Sequence, residues 1–125
     1  LAGAAMVPMT LQPLVENCIV HGFRDRAGGT IRVQAIEVEE SLRISVEDDG
    51  HGITRSRLEM LTAEVESSDD PRGDHIGLVN TVRRVRIAFD TPVPVRLTPR
   101  RGGGLRVELD LPVRMLPVDR GGQAT

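Results

Sequence analysis

The order in which helical and strand-like hydrophobic periods follow one another constrains the fold of this chain most. Apolar residues recur first at helical spacing, then twice in strand-like alternation, then twice at helical spacing and twice more in alternation. The helical segments are residues 11–21, 55–65 and 77–89, and the alternating segments are residues 30–38, 42–46, 93–97 and 105–111. This order predicts antiparallel hairpins with helices packed on one face, which is an α/β two-layer sandwich.

Local signals set the expected ends of these elements. Thr10 is expected to cap the first helix, which places Pro13 in the first turn, where its missing N–H costs nothing. The first alternating segment slips in phase at residues 35–36, which indicates a β-bulge. Ser56 and Glu59 have the spacing of a capping box at the start of the second helix.

The composition excludes several classes of function. All 16 basic residues are arginine, so neither a Schiff-base lysine nor a lysine-dependent phosphate loop is possible. A net charge of −2 and only two Phe, with no Tyr or Trp, disfavour a nucleic-acid or membrane-surface partner. The single cysteine, Cys18, cannot form an internal disulfide, which fits a reducing compartment, and it is expected to be a buried thiol.

Three polar side chains lie close together on the first predicted helix. Asn17 and His21 are four positions apart and project together, and Glu16 lies one position round the helix. An amide oxygen beside a carboxylate suits a hard cation such as Mg²⁺. A solvated helix face also explains these residues, and it is the simpler interpretation when they are considered alone.

Two glycine-containing segments supply further candidate sites. Asp48 keeps the phase of the apolar residues in its strand, so its carboxylate is expected to point toward the core beside Gly50 and Gly52. Such an acid either accepts a hydrogen bond from the amino group of a base or closes a tight turn. Gly77 opens a helix whose free N–H groups attract phosphate, although a packing glycine at a helix start is the simpler interpretation.

Taken together, these segments resemble a known family. Residues 11–17, LQPLVEN, followed by His21 and Gly22, resemble the N box of sensor histidine kinases of the LytS/YesM type, which belong to the GHKL ATPase superfamily. The other similar segments are DDGHG at 48–52 (G1 box), IGLVN at 76–80 (G2 box) and GGL at 103–105 (closing Gly-Gly-Thr). The resemblance covers residues 7–112 and implies the GHKL ATP-binding fold, with a mixed, mostly antiparallel sheet and helices on one face.

The resemblance also implies roles for individual residues. Asn17 would hold Mg²⁺ on the phosphates of ATP, and Glu16 would be catalytic, orienting the attacking group or accepting its proton. Asp48 would bind the amino group of adenine. The other ATP-binding residues would be His21, Gly50, Gly52, Ile53, Gly77, Leu78, Asn80 and Arg84. Residues 53–75 would form the ATP lid.

The implied function is that of the catalytic ATP-binding domain of a two-component sensor histidine kinase. It would present Mg-ATP to a phosphoacceptor histidine on a separate dimerisation domain, with a response regulator downstream. This domain is expected at residues 6–112, with residues 1–5 and 113–125 as flexible ends. A cytoplasmic monomer is expected for this chain, without nucleic-acid or membrane contacts, and a membrane-anchored homodimer for its parent.

Other interpretations stay open at this stage. A nucleotide-gated binding module, such as an anti-sigma-factor serine kinase, or a GHKL domain that no longer binds ATP would share these segments. The departures from the usual family residues are Val20 for Lys, Asp49 for Asn, His75 for Gly and Leu105 for Thr.

Two further clusters attract weaker hypotheses. A metal site formed by the three histidines is disfavoured, because their spacing matches no common ligand pattern. Arg83, Arg84 and Arg86 indicate a solvated helix face or a contact with a partner rather than a nucleic-acid surface.

Overall fold

A computed structural model describes residues 2–67, 69–71 and 73–112. Its helices are α1 (Ala2–Asn17), α2 (Arg55–Glu66) and α3 (Ile76–Phe89), and a π-helical turn, Cys18–Gly22, directly follows α1. Its strands are β1 (Ile31–Val38), β2 (Ser41–Asp48), β3 (Val95–Pro99) and β4 (Leu105–Pro112). The predicted order of helices and strands is confirmed.

The four strands form one sheet in the order β1-β2-β4-β3. Ile44 and Val46 of β2 lie opposite Leu109 and Val107 of β4, so both strands present their apolar residues on the same face. All three pairings are antiparallel, so the described residues contain no parallel pair of the expected mixed sheet.

The three helices cover the apolar face of this sheet. Leu14 from α1, Leu61 and Val65 from α2, and Leu78 and Val82 from α3 are buried in one core with the strand residues. Burial of an aliphatic side chain of this kind contributes about 1.5–3 kcal/mol. A mainly aliphatic core, with Phe89 as an aromatic member, therefore holds the helices on the sheet. The predicted two-layer α/β architecture is confirmed.

The opposite face of the sheet carries paired charges. Asp110 of β4 accepts hydrogen bonds from Arg43 Nε (2.9 Å) and Arg96 Nη2 (3.0 Å). Glu47 of β2 accepts one from Arg106 Nε at 3.0 Å. The hydrogen bond from Arg43 lowers the pKa of Asp110. These ion pairs provide hydrogen-bond partners for the charged side chains that alternate with core residues along β2 and β4.

The first helix begins earlier than predicted. α1 starts at Ala2, so Thr10 is buried inside the helix instead of capping it, and Pro13 also lies in the interior. The alanine-rich start favours helix. Part of the expected flexible end at residues 1–5 therefore belongs to α1, and residues 113–125 lie outside the described residues.

Two other local expectations are wrong. The register between β1 and β2 is unbroken along Ile31–Val38, so there is no bulge at residues 35–36. Because β1 is an exposed edge strand, its residues need not alternate strictly between apolar and polar. The change of phase at residues 35–36 therefore does not indicate a bulge. At the start of α2, Thr54 rather than Ser56 is the cap, since Thr54 Oγ1 accepts a hydrogen bond from Arg57 N at 3.3 Å.

None of the helices in the described part of the chain combines the length and apolar character needed to cross a bilayer.

Candidate functional site

The end of α1 and the start of α3 enclose a cavity of about 240 Å³. Glu16 and Asn17 lie on it at the end of α1, and His21 lies on it in the π-helical turn. Gly77 and Leu78, in the first turn of α3, form the opposite wall. The fold therefore brings together five of the predicted site residues from two segments that are far apart in sequence.

The α1 wall of the cavity offers oxygen ligands. Asn17 is largely buried in this wall, with 9% of its surface exposed, whereas Glu16 is exposed to solvent. The turn after Asn17 is π-helical because Phe23 N donates to Cys18 O (3.0 Å), five residues back. Amide and carboxylate oxygens are ligands that Mg²⁺ accepts, so the side chains on this wall fit that ion.

The α3 wall of the cavity is the amino-terminal end of a helix. His75 is the capping residue, but its side chain makes no capping hydrogen bond. A Cβ added at Gly77 would meet nothing within 4 Å, so the glycine leaves open space over the first turn. Free N–H groups and the helix dipole attract anions at such a position. This wall therefore suits a phosphate group.

Asp48 lies at the end of β2, beside the π-helical turn. It is 3% exposed, as predicted for a strand residue that points inward. Its Oδ1 accepts a hydrogen bond from Gly50 N at 2.8 Å. Burial, together with the Asp48 charge and a hydrogen bond to that carboxylate, raises the pKa of the Cys18 thiol to about 12. The expectation that Cys18 is a buried thiol is therefore confirmed.

Close backbone contacts hold Asp48 in place. A Cβ at Gly22 would lie 2.8 Å from Asp48 Oδ1, and a Cβ at Gly50 would overlap the carbonyl of Gly22. His51 N donates to that same carbonyl at 2.8 Å. On the other side, a Cβ at Gly104 would overlap the carbonyl of Asp48. The buried carboxylate is thus fixed between the end of the first helical segment and the turn before β4, and it can accept a hydrogen bond from an amino group.

A family model for histidine kinase-, DNA gyrase B- and HSP90-like ATPases matches residues 6–115. The chain belongs to this family.

Relatives of this ATPase domain include several bacterial sensor kinases. Sensor histidine kinase YpdA of Escherichia coli K12 is 35% identical over 111 residues, which is 88% of this chain and 18% of YpdA. Sensor histidine kinase YesM of Bacillus subtilis is 33% identical over 107 residues, covering 85% of this chain and 17% of YesM. The resemblance to the LytS/YesM type is therefore confirmed. The chain spans less than a fifth of the length of these two relatives.

Solved structures agree on the fold. A blue-light activated histidine kinase of Erythrobacter litoralis EL346 is similar with a TM-score of 0.60 and 25% identity, covering 86% of this chain and 30% of that one. The histidine kinase domain of the E. coli osmosensor EnvZ gives a TM-score of 0.59 at 24% identity, covering 97% of this chain and 70% of that one. The predicted histidine kinase-type fold is confirmed.

Other predicted ATP-binding residues of this ATPase domain lie outside the cavity. Asn80 and Arg84 are exposed on α3, and Ile53 packs against the core. Gly52, next to Ile53, has a φ of +77° and lies against the backbone of Gly104. None of these four residues lines the cavity, and neither do Asp48 and Gly50.

Residues 53–75 do not form one lid. They contain α2, which buries Leu61 and Val65 in the core because its apolar residues repeat at helical spacing. Arg83 Nη2 of α3 also donates to Ser67 O at 2.6 Å, which ties the end of α2 to α3.

The three histidines do not form a metal site. His21 and His75 stack with ring centroids 4.0 Å apart, whereas His51 Nε2 contacts the carbonyl oxygen of Arg24. Burial lowers the pKa of His75 to about 4, and burial together with Arg24 lowers the pKa of His21. Within the described ranges, no three His, Cys, Asp or Glu side chains are arranged as metal ligands.

Two charged features have intramolecular partners that sequence reasoning missed. Arg86 Nε donates to Val93 O at 3.1 Å, so Arg86, like Arg83, ties α3 to a neighbouring segment. Of the three clustered arginines, only Arg84 is exposed as predicted. Asp49 Oδ1 accepts a hydrogen bond from Thr30 N at 2.8 Å, which binds this carboxylate to the loop before β1. The sequence does not distinguish an arginine that bonds to the backbone of a distant segment from a neighbouring arginine that is exposed to solvent.

Proposed function

We propose that this ATPase domain binds Mg-ATP at the junction of α1, the end of β2 and α3, and presents it to a histidine on a separate dimerisation domain. The observation that supports the proposal most is the shared cavity, in which Asn17 faces the uncapped start of α3. Oxygen ligands on one wall and free N–H groups on the other match the two chemical needs of a metal-bound polyphosphate.

The adenine end of the site would centre on Asp48. Its buried carboxylate is an acceptor only, so it would accept a hydrogen bond from the exocyclic amino group. Gly50 and Gly52 would shape this pocket, because they let the backbone of Gly22 and of Gly104 approach closely. Asp49, which binds Thr30 N, would help to hold the loop beside this pocket.

The phosphate end would depend on Asn17, Glu16 and α3. The Asn17 amide oxygen would hold Mg²⁺, and backbone N–H groups at Gly77 and Leu78 would bind phosphate oxygens. A bound Mg²⁺ supplies neutralisation of the phosphate charge. Glu16 would orient the attacking imidazole or accept its proton, as a nitrogen–phosphorus bond forms and the bond from the γ-phosphorus to the ADP oxygen breaks.

The partners of this domain follow from the same proposal. The sensor kinases to which the chain is similar are several times longer. The phosphoacceptor histidine would lie on a dimerisation domain of the parent protein, and a response regulator would receive the phosphoryl group. The parent would be a membrane-anchored homodimer with this domain on the cytoplasmic side.

Phosphoryl transfer to the dimerisation domain of the parent protein tests this function. With labelled ATP, the histidine of that domain should become labelled when this chain is added. Glu16→Gln should slow the transfer about 100-fold or more, the usual contribution of a positioned acid or base, while leaving ATP bound. Glu40→Gln, in the exposed turn between β1 and β2, is the control.

Two results separate the proposal from its alternatives. Persistent failure to label the histidine, despite measurable ATP binding, would contradict the kinase function and favour a nucleotide-gated binding module. An unchanged rate in Glu16→Gln would contradict the catalytic assignment alone.

A further inference from the structure

The two walls of the cavity are joined by a pair of stacked histidine rings. His21 belongs to the π-helical turn after α1, and His75 directly precedes α3. Their ring centroids are 4.0 Å apart with 24° between the planes. The end of the segment between α2 and α3 therefore contacts the first helical segment through a ring face.

His75 is held by burial and by its ring face. It is 8% exposed, and its buried Nδ1 has no hydrogen-bond partner among the described residues. A buried nitrogen without a partner costs free energy, so that atom does not explain why the ring lies there. The stacking contact with His21 is the interaction that the geometry offers instead.

Residues that lie before and after His75 in sequence line the candidate phosphate site. Asp74 and Gly77 both line the cavity, together with His21 from the other wall. Arg57 of α2 lies 3.6 Å from Asp74 Oδ2, and Arg24 Nη2 lies 3.2 Å from His21 Nδ1. Fixing the His75 ring therefore fixes the backbone on which the first turn of α3 begins.

We propose that His75 is a positioning residue that, by stacking on His21, sets the start of α3 at the distance from Asn17 that the triphosphate of the nucleotide requires. This inference rests on the proposed function. Burial keeps both rings neutral near pH 7, since it lowers the pKa of each, so the stacked rings do not repel each other. The contribution of His75 is then preorganisation of the phosphate end, with the adenine end at Asp48 left unaffected.

Binding of two ligands to three forms of the chain tests this role. The ligands are Mg-ATP and adenosine, which shares the base but carries no phosphate. His75→Ala should weaken Mg-ATP binding about tenfold, as expected when a preorganised site must be ordered on binding, and should change adenosine binding less than about twofold. His75→Phe keeps a ring face and loses both ring nitrogens, of which the buried Nδ1 has no partner among the described residues, so it should restore Mg-ATP binding to within about threefold of the original chain.

The controls separate positioning from folding. Ile87→Ala, at a highly exposed position near the other end of α3, should leave both ligands unaffected. If His75→Ala does not fold, His21→Ala removes the stack from the opposite wall and should show the same selective loss.

Three outcomes would overturn the inference. These are unchanged Mg-ATP binding in His75→Ala, an equal loss for Mg-ATP and adenosine, and failure of His75→Phe to restore binding. If the unsubstituted chain binds neither ligand, both the proposed function and this inference fail. If Mg-ATP binds equally well with and without the His75 ring, only this inference fails.

Discussion

At the scale of single residues, Asp48 combines deep burial with a restricted set of partners. Gly50 N donates to its Oδ1, and the backbone at Gly22 and Gly104 leaves no space for a side chain around it. A buried carboxylate is costly unless its oxygens accept hydrogen bonds. An amino group of a bound base would supply a further one, so Asp48 is the residue on which base recognition should depend.

Replacing Asp48 by Asn tests this assignment. Asn can still accept the hydrogen bond from Gly50, but its NH₂ group would meet the amino group of adenine as a second donor. We expect a loss of about 1–3 kcal/mol in binding of an ATP analogue, measured by calorimetry. Asp90→Asn is the matched control, since Asp90 caps the far end of α3 with a φ of +50°, which Asn tolerates well. Equal binding by folded Asp48→Asn and the original chain would remove Asp48 from the site.

The His75 ring predicts a pH dependence of stability. Its pKa is about 4 in the folded chain and about 6.5 when unfolded, so between these values the unfolded state binds more protons. Stability should therefore fall as the pH decreases from about 6.5 toward 4, by up to roughly 3 kcal/mol at 1.4 kcal/mol per pKa unit.

Urea unfolding between pH 7 and pH 5 measures this effect before most carboxylates titrate. His75→Phe should flatten the dependence, although His21, whose pKa burial also lowers, should leave part of it. The same slope in His75→Phe and the original chain would contradict the burial of a neutral His75.

At the scale of elements, the turn between β3 and β4 supports the end of β2. Gly102, Gly103 and Gly104 all have positive φ values, and Gly104 alone lies against the carbonyl of Asp48. An L-residue at Gly102 would face open space, whereas one at Gly104 would collide with backbone. This turn therefore helps to shape the proposed adenine end of the site as well as closing a hairpin.

A pair of alanine substitutions separates these effects. Gly102→Ala should cost about 1–2 kcal/mol, the strain of a left-handed conformation alone. Gly104→Ala should cost about 3 kcal/mol or more, because overlap with Asp48 adds to that strain. Chemical unfolding gives both values, and nucleotide binding should fall only in Gly104→Ala. Similar costs for the two variants would mean that the contact with Asp48 relaxes freely.

Periodicity predicted some elements well and others poorly, for physical reasons. Apolar residues alternate regularly with polar ones in the sequences of β2 and β4, because helices bury one face of these strands. The apolar residues of α3 form a continuous stripe for the same reason. β1 is an exposed edge strand, so its sequence is not held to alternation, and the phase slip at residues 35–36 misleads. The π-helical turn at Cys18–Gly22 leaves no periodic signal, because it inserts a single residue.

At the scale of the whole molecule, the candidate site forms because segments that are distant in sequence pack on the same sheet. The end of α1 and the start of α3 lie more than fifty residues apart in sequence, but both pack on the same face of one sheet and form one cavity. The resemblance of the segments to the family allowed Asn17, Asp48 and Gly77 to be predicted. The His21–His75 stack and the backbone contact between Gly104 and Asp48 were not predictable, because they depend on long-range packing of residues with no distinctive local pattern.

Calorimetric titration of the chain with a non-hydrolysable ATP analogue tests whether this domain binds Mg-ATP. We predict binding that is stronger with Mg²⁺ than without it. In Asn17→Ala the gain from Mg²⁺ should be lost while binding of the Mg²⁺-free nucleotide is kept. Absence of binding to the folded chain at millimolar analogue, with and without Mg²⁺, would mean that this domain does not bind ATP as proposed.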